Sequence, residues 1–345
     1  MPPTCPEGCS KRAVTKGVPV VDVHTHGTGL LPRPAWAVYR FVNRGHMPPD
    51  LGFDVLGPAG VDAVVAKAVG DPIVTRFHRG SPWAAVERQL EHIRSQATAA
   101  GAILATGADA VGAAQGQGHP AVVLGLEGAD VLDGRVYRVD ELFALGVRVV
   151  GLVHYVDNSL GTVCMPWQQW LPVRLPVRRR PTGLSPFGHD AMRRMQELGV
   201  LVDLAHADRA TTLAACAAAA APVISSHTGA RALQDFDRFL GDEELRTVAG
   251  TGGLVGLWPF HYRDRGVADL ADFARHASYL AELIGVDHLC IGTDMNGVSG
   301  LMDGYRGETD FPVLTDTLAR AGFTADEVAA VAGGNFLRVW RACGG

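Results

Sequence analysis

Two histidines one residue apart, His24-Thr25-His26, follow a short apolar run, Val18–Val23. Side chains at i and i+2 of a strand point to the same face. This spacing therefore aims two imidazoles at one point, a donor pair that suits Zn²⁺ or a similar borderline cation. Other groups able to hold or serve a cation close further apolar runs: Glu127 after Leu126, His154 after Val153, His206 after Leu204-Ala205, His227 after Ser225-Ser226, and Asp294 after Gly292-Thr293. Taken singly, each has an ordinary explanation. A strand-end histidine is commonly a hydrogen-bonded structural residue, a buried glutamate commonly pairs with an arginine, and His154 or Asp294 could cap the segment that follows. Together they form a pattern, since five of the 13 histidines fall at run ends. We read His24, His26, Glu127, His206 and His227 as ligands of two divalent metal ions, with Glu127 bridging through its two oxygens. The other common bridge in such sites, a carbamylated lysine, lacks a candidate. Lys11 and Lys16 precede the first run, and Lys67 lies inside the second rather than at its end. His46, His78, His119 and His189 have no such placement and are read as structural, and His261, which follows a later apolar run, is read as a loop residue.

These groups can act together only if the runs end in one place. Eight apolar segments recur: Val18–Val23, Ala63–Val69, Ala121–Leu126, Val147–Val153, Val200–Leu204, Pro222–Ser225, Leu254–Trp258 and His288–Gly292. Their near-continuous apolar character suits strands buried on both faces of a parallel sheet. Helical stripes lie between most of them, such as Trp83, Val86, Leu90 and Ile93 at spacings of three and four. Eight strand–helix units predict an α/β fold, a TIM-like (β/α)8 barrel, in which all strand C-termini converge on one face. On pattern alone an open doubly wound sheet is the alternative, although no G-x-G-x-x-G opens a helix after a strand. The reading is an N-terminal extension over 1–17 and a single barrel domain over 18–345. Long loops rich in Pro, Gly and Trp follow the first strand (27–60) and the fourth (155–187), as expected of lids or walls.

Composition narrows the classes. The 345 residues are 47% hydrophobic and 19% charged, ample for one large core. A net charge of −5 without a clustered basic face excludes a nucleic-acid footprint, and Arg178–Arg180, in a Pro-rich stretch, reads as a solvated loop. The sequence has no apolar segment of the ~18 residues a membrane span needs and no recognisable signal peptide. The six cysteines are scattered, with only Cys5 and Cys9 close and no second pair to complete a zinc knuckle. These features read as a cytoplasmic protein with free thiols and a small-molecule substrate, without nucleic-acid or membrane partners.

The sequence resembles the membrane (renal) dipeptidase family of the amidohydrolase superfamily. The resemblance runs from about Gly17 to Trp340 and is carried by Leu126-Glu127-Gly128, Gly151-Leu152-Val153-His154, Gly183-Leu184-Ser185-Pro186-Phe187-Gly188, Leu198 through His206, Ser226-His227-Thr228-Gly229-Ala230-Arg231, Gly292 through Gly297 and Gly333 through Arg338. It implies a binuclear zinc site in a TIM-like barrel: His24 and the residue at position 26 on one ion, His206 and His227 on the other, and Glu127 between them. It also implies that His154 contacts substrate and supports the oxyanion, that Arg231 receives the substrate carboxylate, that Asp294 handles the proton, and that the chain forms a homodimer. Two ions can hold a bridging hydroxide at neutral pH and polarise a carbonyl, Asp294 can move its proton, and an arginine fork matches a carboxylate. Two departures stand out. The family usually has His-x-Asp where this chain has His24-Thr25-His26, and often Asp-Phe-Asp-Gly where it has Asp294-Met295-Asn296-Gly297.

The expected function is therefore metal-dependent hydrolysis of a dipeptide amide bond by a bridging hydroxide on two metal ions, with Zn²⁺ as the leading choice. A different amidohydrolase-type substrate (an N-acyl amino acid, a lactone or a biosynthetic intermediate) is the alternative, because fold does not fix substrate. A non-catalytic metal-binding barrel is the alternative of another class, against which the complete ligand set and Asp294 weigh.

Overall fold

The structure is a computed structural model that describes residues 15, 17–30, 41, 48, 50–170 and 183–345. The readings of Cys5, Cys9, Lys11, Lys16, His46 and Arg178–Arg180, and of much of the two long loops, fall outside these residues. Eight parallel strands follow one another around the sheet in chain order: β1 Val21–Thr25, β2 Ala63–Val69, β3 Ala121–Glu127, β4 Val147–Gly151, β5 Leu201–Asp203, β6 Val223–Thr228, β7 Leu254–Leu257 and β8 Leu289–Ile291. A two-residue strand, Ile103–Leu104, adds parallel to the start of β3. The segment after β8 closes the ring onto β1: Asp294 N donates to His24 O at 2.8 Å, and His26 N to Met295 O at 2.9 Å. The expected (β/α)8 barrel is the architecture found, and the open sheet is excluded by this closure.

Strand residues divide by parity, as a barrel requires. Val21, Val23, Ala63, Val65, Ala121, Val123, Val149, Leu201, Ile224, Leu254 and Cys290 fill the interior, and Phe336 and Trp340 plug the end opposite the strand C-termini. Val64, Ala66, Ala68, Val122, Leu124 and Leu126 face outward under the helices. Helix starts are set by local chemistry: Ser81 and Ser185 accept from the third backbone N–H beyond them, and each is followed by a proline at the first helical position. Among the described residues no helix is long and apolar enough to cross a membrane.

Only β2 keeps the expected bounds, and the two largest extensions, in β1 and β6, lie at the mouth. β1 runs to Thr25 and β6 to Thr228, so His24 and His227 sit inside strands rather than after them. The apolar runs stop earlier because the last residues of these strands are polar yet buried. Register shifts lie between Asp22 and Thr25 on β1 and between Ser225 and Thr228 on β6. Strict two-residue alternation therefore ends within the histidine segments. Such irregularities re-aim side chains beside active sites.

Above the apolar interior lies a polar layer. Lys67 on β2 is fully buried, points inward and pairs with Asp203 on β5. Gly125 on β3 makes room for it, since a Cβ there would lie 2.7 Å from Lys67 Cγ. Overpacking of this kind costs about 1–3 kcal/mol. Gly125→Ala is therefore expected to lower unfolding stability by about that amount in a urea titration, and an unchanged midpoint would contradict the packing described.

Candidate metal and catalytic site

At the strand C-termini, seven of the eight residues singled out from sequence meet in one buried cluster: His24, His26, Glu127, His154, His206, His227 and Asp294. Glu127 is its centre. Its Oε1 faces His206 Nε2 at 3.2 Å, His24 Nε2 at 3.4 Å and His227 Nε2 at 3.9 Å. Its Oε2 faces His26 Nε2 at 3.3 Å and His154 Nε2 at 3.4 Å. Asp294 Oδ1 lies 3.3 Å from His26 Nε2 and 3.8 Å from His24 Nε2, and Asp294 Oδ2 lies 3.9 Å from His227 Nε2. Asp294 and His206 hold φ of 56° and 69°, a left-handed conformation that only a few per cent of non-glycine residues adopt, Asp and His more often than most. Sparsely populated backbone conformations of this kind cluster at functional sites.

The electrostatics are those of a donor set without its partner. Buried polar atoms are normally hydrogen-bonded, yet among the described residues His24 Nε2, Glu127 Oε1 and His206 Nδ1 are buried with no hydrogen-bond partner. Two imidazole nitrogens, His206 Nε2 and His227 Nε2, face each other at 3.1 Å. Burial, then the charge of Arg238 and of neighbouring imidazoles, hold His206 and His227 well below the ordinary histidine pKa and so neutral. Burial opposes charge on His26 as well, but Asp294 and Glu127 outweigh it and push its pKa up to about 10. Burial raises Glu127, while His154 and His24 more than offset this and bring it well below the usual carboxylate range. Imidazole Nε2 atoms gathered around a carboxylate fit divalent ions, and three triads of these residues (His24, Glu127 and His227; His24, His26 and Asp294; Glu127, His154 and His206) each offer atoms close enough to share one.

The groups behind the cluster fix how it points. His154 Nδ1 pairs with Asp71 Oδ2, while Asp71 Oδ1 caps the helix Pro72–Thr75 by accepting from Ile73 N at 2.6 Å and Val74 N at 3.2 Å. Burial lowers the His154 pKa, but Glu127 and Asp71 raise it more, and its Nε2 lies towards the cluster, 3.4 Å from Glu127 Oε2. His26 Nδ1 meets the backbone carbonyl of Lys67 at 2.8 Å. Under β1, Asp22 accepts from Thr293 N at 3.0 Å and Thr293 Oγ1 at 2.5 Å, and Glu308 Oε1 accepts from Thr25 Oγ1 at 3.1 Å.

Arg231 is the residue that does not join. It is part exposed at the surface, its Nε donating to Asp235 at 2.9 Å and its Nη2 to Asp237. Seven positions on, Arg238 is buried over the Trp258 ring, with Nε and Nη2 lacking hydrogen-bond partners among the described residues. Sequence reading missed Arg238 and Asp71. The signals were present: Arg238 stands among Phe236, Phe239 and Leu240, an apolar setting unusual for a surface arginine, and Asp71-Pro72 is a helix-start pair directly after a strand.

Residues 62–344 match the family model described as membrane dipeptidase (Peptidase family M19). A curated relative, dipeptidase aclJ of Aspergillus oryzae, is 32% identical over 64% of this chain and 51% of its own length. The chain spans about half the length of the curated relatives it matches. Two solved structures share the fold. The probable dipeptidase PvdM of Pseudomonas aeruginosa has a TM-score of 0.81 at 18% identity, covering 96% of this chain and 97% of its own. A metallo peptidase from Rhodobacter sphaeroides, liganded with a phosphinate mimic of the dipeptide L-Ala-D-Ala, has a TM-score of 0.77 at 19% identity, covering 94% and 99%.

Burial and the nearby Asp22 charge push the Glu308 pKa up to about 8. A carboxyl whose folded pKa exceeds its unfolded value, here the ordinary 4.5, contributes stability that is fully present below the latter. That stability is lost as pH rises through the former. Glu308→Gln, which keeps the neutral form at all pH, should match the wild type at pH 4–5 and unfold at a temperature several degrees higher at pH 8. A constant difference between the two across that range would contradict a neutral Glu308.

Proposed function

The chain belongs to the membrane dipeptidase family, Peptidase family M19, and on that premise we propose that it is a metal-dependent dipeptidase. In this reading His24, His26, Glu127, His206 and His227 hold two divalent ions, with Zn²⁺ the cation that an imidazole-rich set suits. The observation that carries the reading is Glu127, whose two buried oxygens face two different groups of imidazole nitrogens. Bound ions of this kind supply Lewis acidity to a scissile carbonyl and bring the pKa of water to about 7.

The remaining roles follow from the side chains themselves. Asp294, whose carboxylate lies over His24, His26 and His227, takes the proton of the attacking water and returns it to the leaving amine. His154, oriented by Asp71, donates from Nε2 to the oxygen that gains charge at the reacting carbonyl. Arg238 rather than Arg231 receives the substrate carboxylate. A buried guanidinium with free Nε and Nη2 presents the fork a carboxylate fills, whereas the Arg231 fork is already filled by Asp235 and Asp237. A carboxylate held there lies a fixed distance from the scissile bond, which favours dipeptides over longer chains. An N-acyl amino acid satisfies the same guanidinium and is the second reading.

A panel of L,L- and L,D-dipeptides, their C-terminal amides and N-acyl amino acids, offered to the Zn²⁺-loaded full chain, separates these readings. Turnover of free-acid dipeptides and poor turnover of their amides is expected. Absence of turnover on every dipeptide with metal retained would overturn the proposal. Arg238→Met should lower kcat/KM about 100-fold, the scale of removing one partner of a buried charge pair. Arg231→Met should change it by about threefold or less, as for an exposed ion pair. The reverse order would restore Arg231 to the site. Asp294→Asn should abolish turnover while elemental analysis finds the metal content unchanged, and full activity in that variant would remove Asp294 from the mechanism.

A further inference from the structure

Lys67 is the one charged side chain among the inward-facing residues of β2, and the reaction as described does not use it. Its ammonium is fully buried and pairs with Asp203 Oδ2 across the barrel. The Asp203 carboxylate is saturated. Its Oδ1 accepts from Ser226 N at 2.9 Å and Ala205 N at 3.0 Å, and its Oδ2 accepts from Lys67 Nζ and from Ser226 Oγ at 2.6 Å. Ser226 Oγ also lies 2.8 Å from His24 Nδ1 and 3.0 Å from His227 Nδ1.

Counting protons settles the direction of these bonds. A hydroxyl has one proton and two acceptor lone pairs, and an ionised carboxylate only accepts. Ser226 must give its proton to Asp203, so towards both imidazoles it can only accept. His24 and His227 must therefore carry their protons on Nδ1, which leaves the Nε2 lone pairs free and aimed at Glu127. His26 is set in the same sense by a different acceptor, the backbone carbonyl of Lys67 at 2.8 Å.

We propose that Lys67, Asp203 and Ser226 are positioning residues that fix His24 and His227 as Nδ1–H tautomers and so present their Nε2 atoms for ligation. One lysine thus serves three imidazoles on two strands: two through its ammonium and Asp203, and one through its main chain. The buried ammonium keeps Asp203 ionised and stationary. Without it, a protonated or rotated carboxyl can donate to Ser226, the hydroxyl can turn towards either histidine, and the tautomers are no longer specified. Partners behind ligating histidines commonly act in this way, and their loss costs about 10–100-fold in metal affinity.

The inference rests on the proposed metal site, and its test reads the two separately. Histidine-selective ¹⁵N NMR of the metal-free full chain reports the tautomer of each ring. In the wild type His24 and His227 are expected as Nδ1–H forms. Ser226→Ala, which keeps the Lys67–Asp203 pair and removes one oxygen, should leave His26 unchanged and turn His24 and His227 into tautomer mixtures. Lys67→Met combined with Asp203→Asn, which removes the pair without stranding a charge, should do the same. Zn²⁺ titration against a chromophoric chelator should then show affinity lower by about 10–100-fold in both variants. A wild-type His24 or His227 protonated on Nε2, or unchanged tautomers and affinity in Ser226→Ala, overturns the proposal. A wild type with Nδ1–H tautomers but no Zn²⁺ binding would instead overturn the metal-site reading.

Discussion

A buried carboxylate ringed by five imidazoles is the constraint on which the rest of this structure depends. Glu127 is almost wholly out of water, and an ion in that setting persists only if compensated. Compensation here comes from His24, His26, His154, His206 and His227, supplied by four other strand ends or the loops just beyond them. No pair of neighbouring strands could do this. A closed ring of parallel strands whose C-termini meet can, which is why closure of the barrel at Asp294 and Met295 belongs to the chemistry as much as to the fold.

Around that centre the molecule is layered. The lower barrel is apolar and sealed by Phe336 and Trp340. Above it, Lys67, Asp203 and Ser226 form a polar layer in which both Asp203 oxygens accept two hydrogen bonds each. Above that come the imidazoles and Glu127, where buried atoms lack partners. The step from a satisfied to an unsatisfied layer occurs over one or two residues of each strand. Unsatisfied buried groups are costly, and a bound divalent cation offsets that cost directly. The raised pKa of His26 and the depressed ones of Glu127, His206 and His227 express the same imbalance.

Much of this was readable in the sequence, for a definite reason. Strands of a parallel barrel are buried on both faces, so they appear as short apolar runs, and a polar residue at the end of such a run marks the mouth. That logic found His24, His26, Glu127, His154, His206, His227 and Asp294. It failed where position depends on a loop or on parity. Arg231 and Arg238 lie on one excursion after β6, and only the three-dimensional path shows which is paired at the surface and which is buried. Lys67 read as a residue in the wrong place to bridge metals, which its pairing with Asp203 supports; its reach across the barrel depends on the missing side chain of Gly125. Asp71 was hidden because its cap and its contact with His154 belong to different oxygens of one carboxylate. The register shifts in β1 and β6 leave no mark in residue type at all.

The central claim is that the Glu127 cluster is a metal centre. Equilibrium dialysis of the full chain against Zn²⁺, followed by elemental analysis, tests it most directly. The account predicts two tightly held equivalents per chain in the wild type and loss of both in Glu127→Ala, because each Glu127 oxygen faces a different group of imidazoles. A wild type that retains no metal, or a Glu127→Ala variant that retains both ions with unchanged affinity, would contradict it.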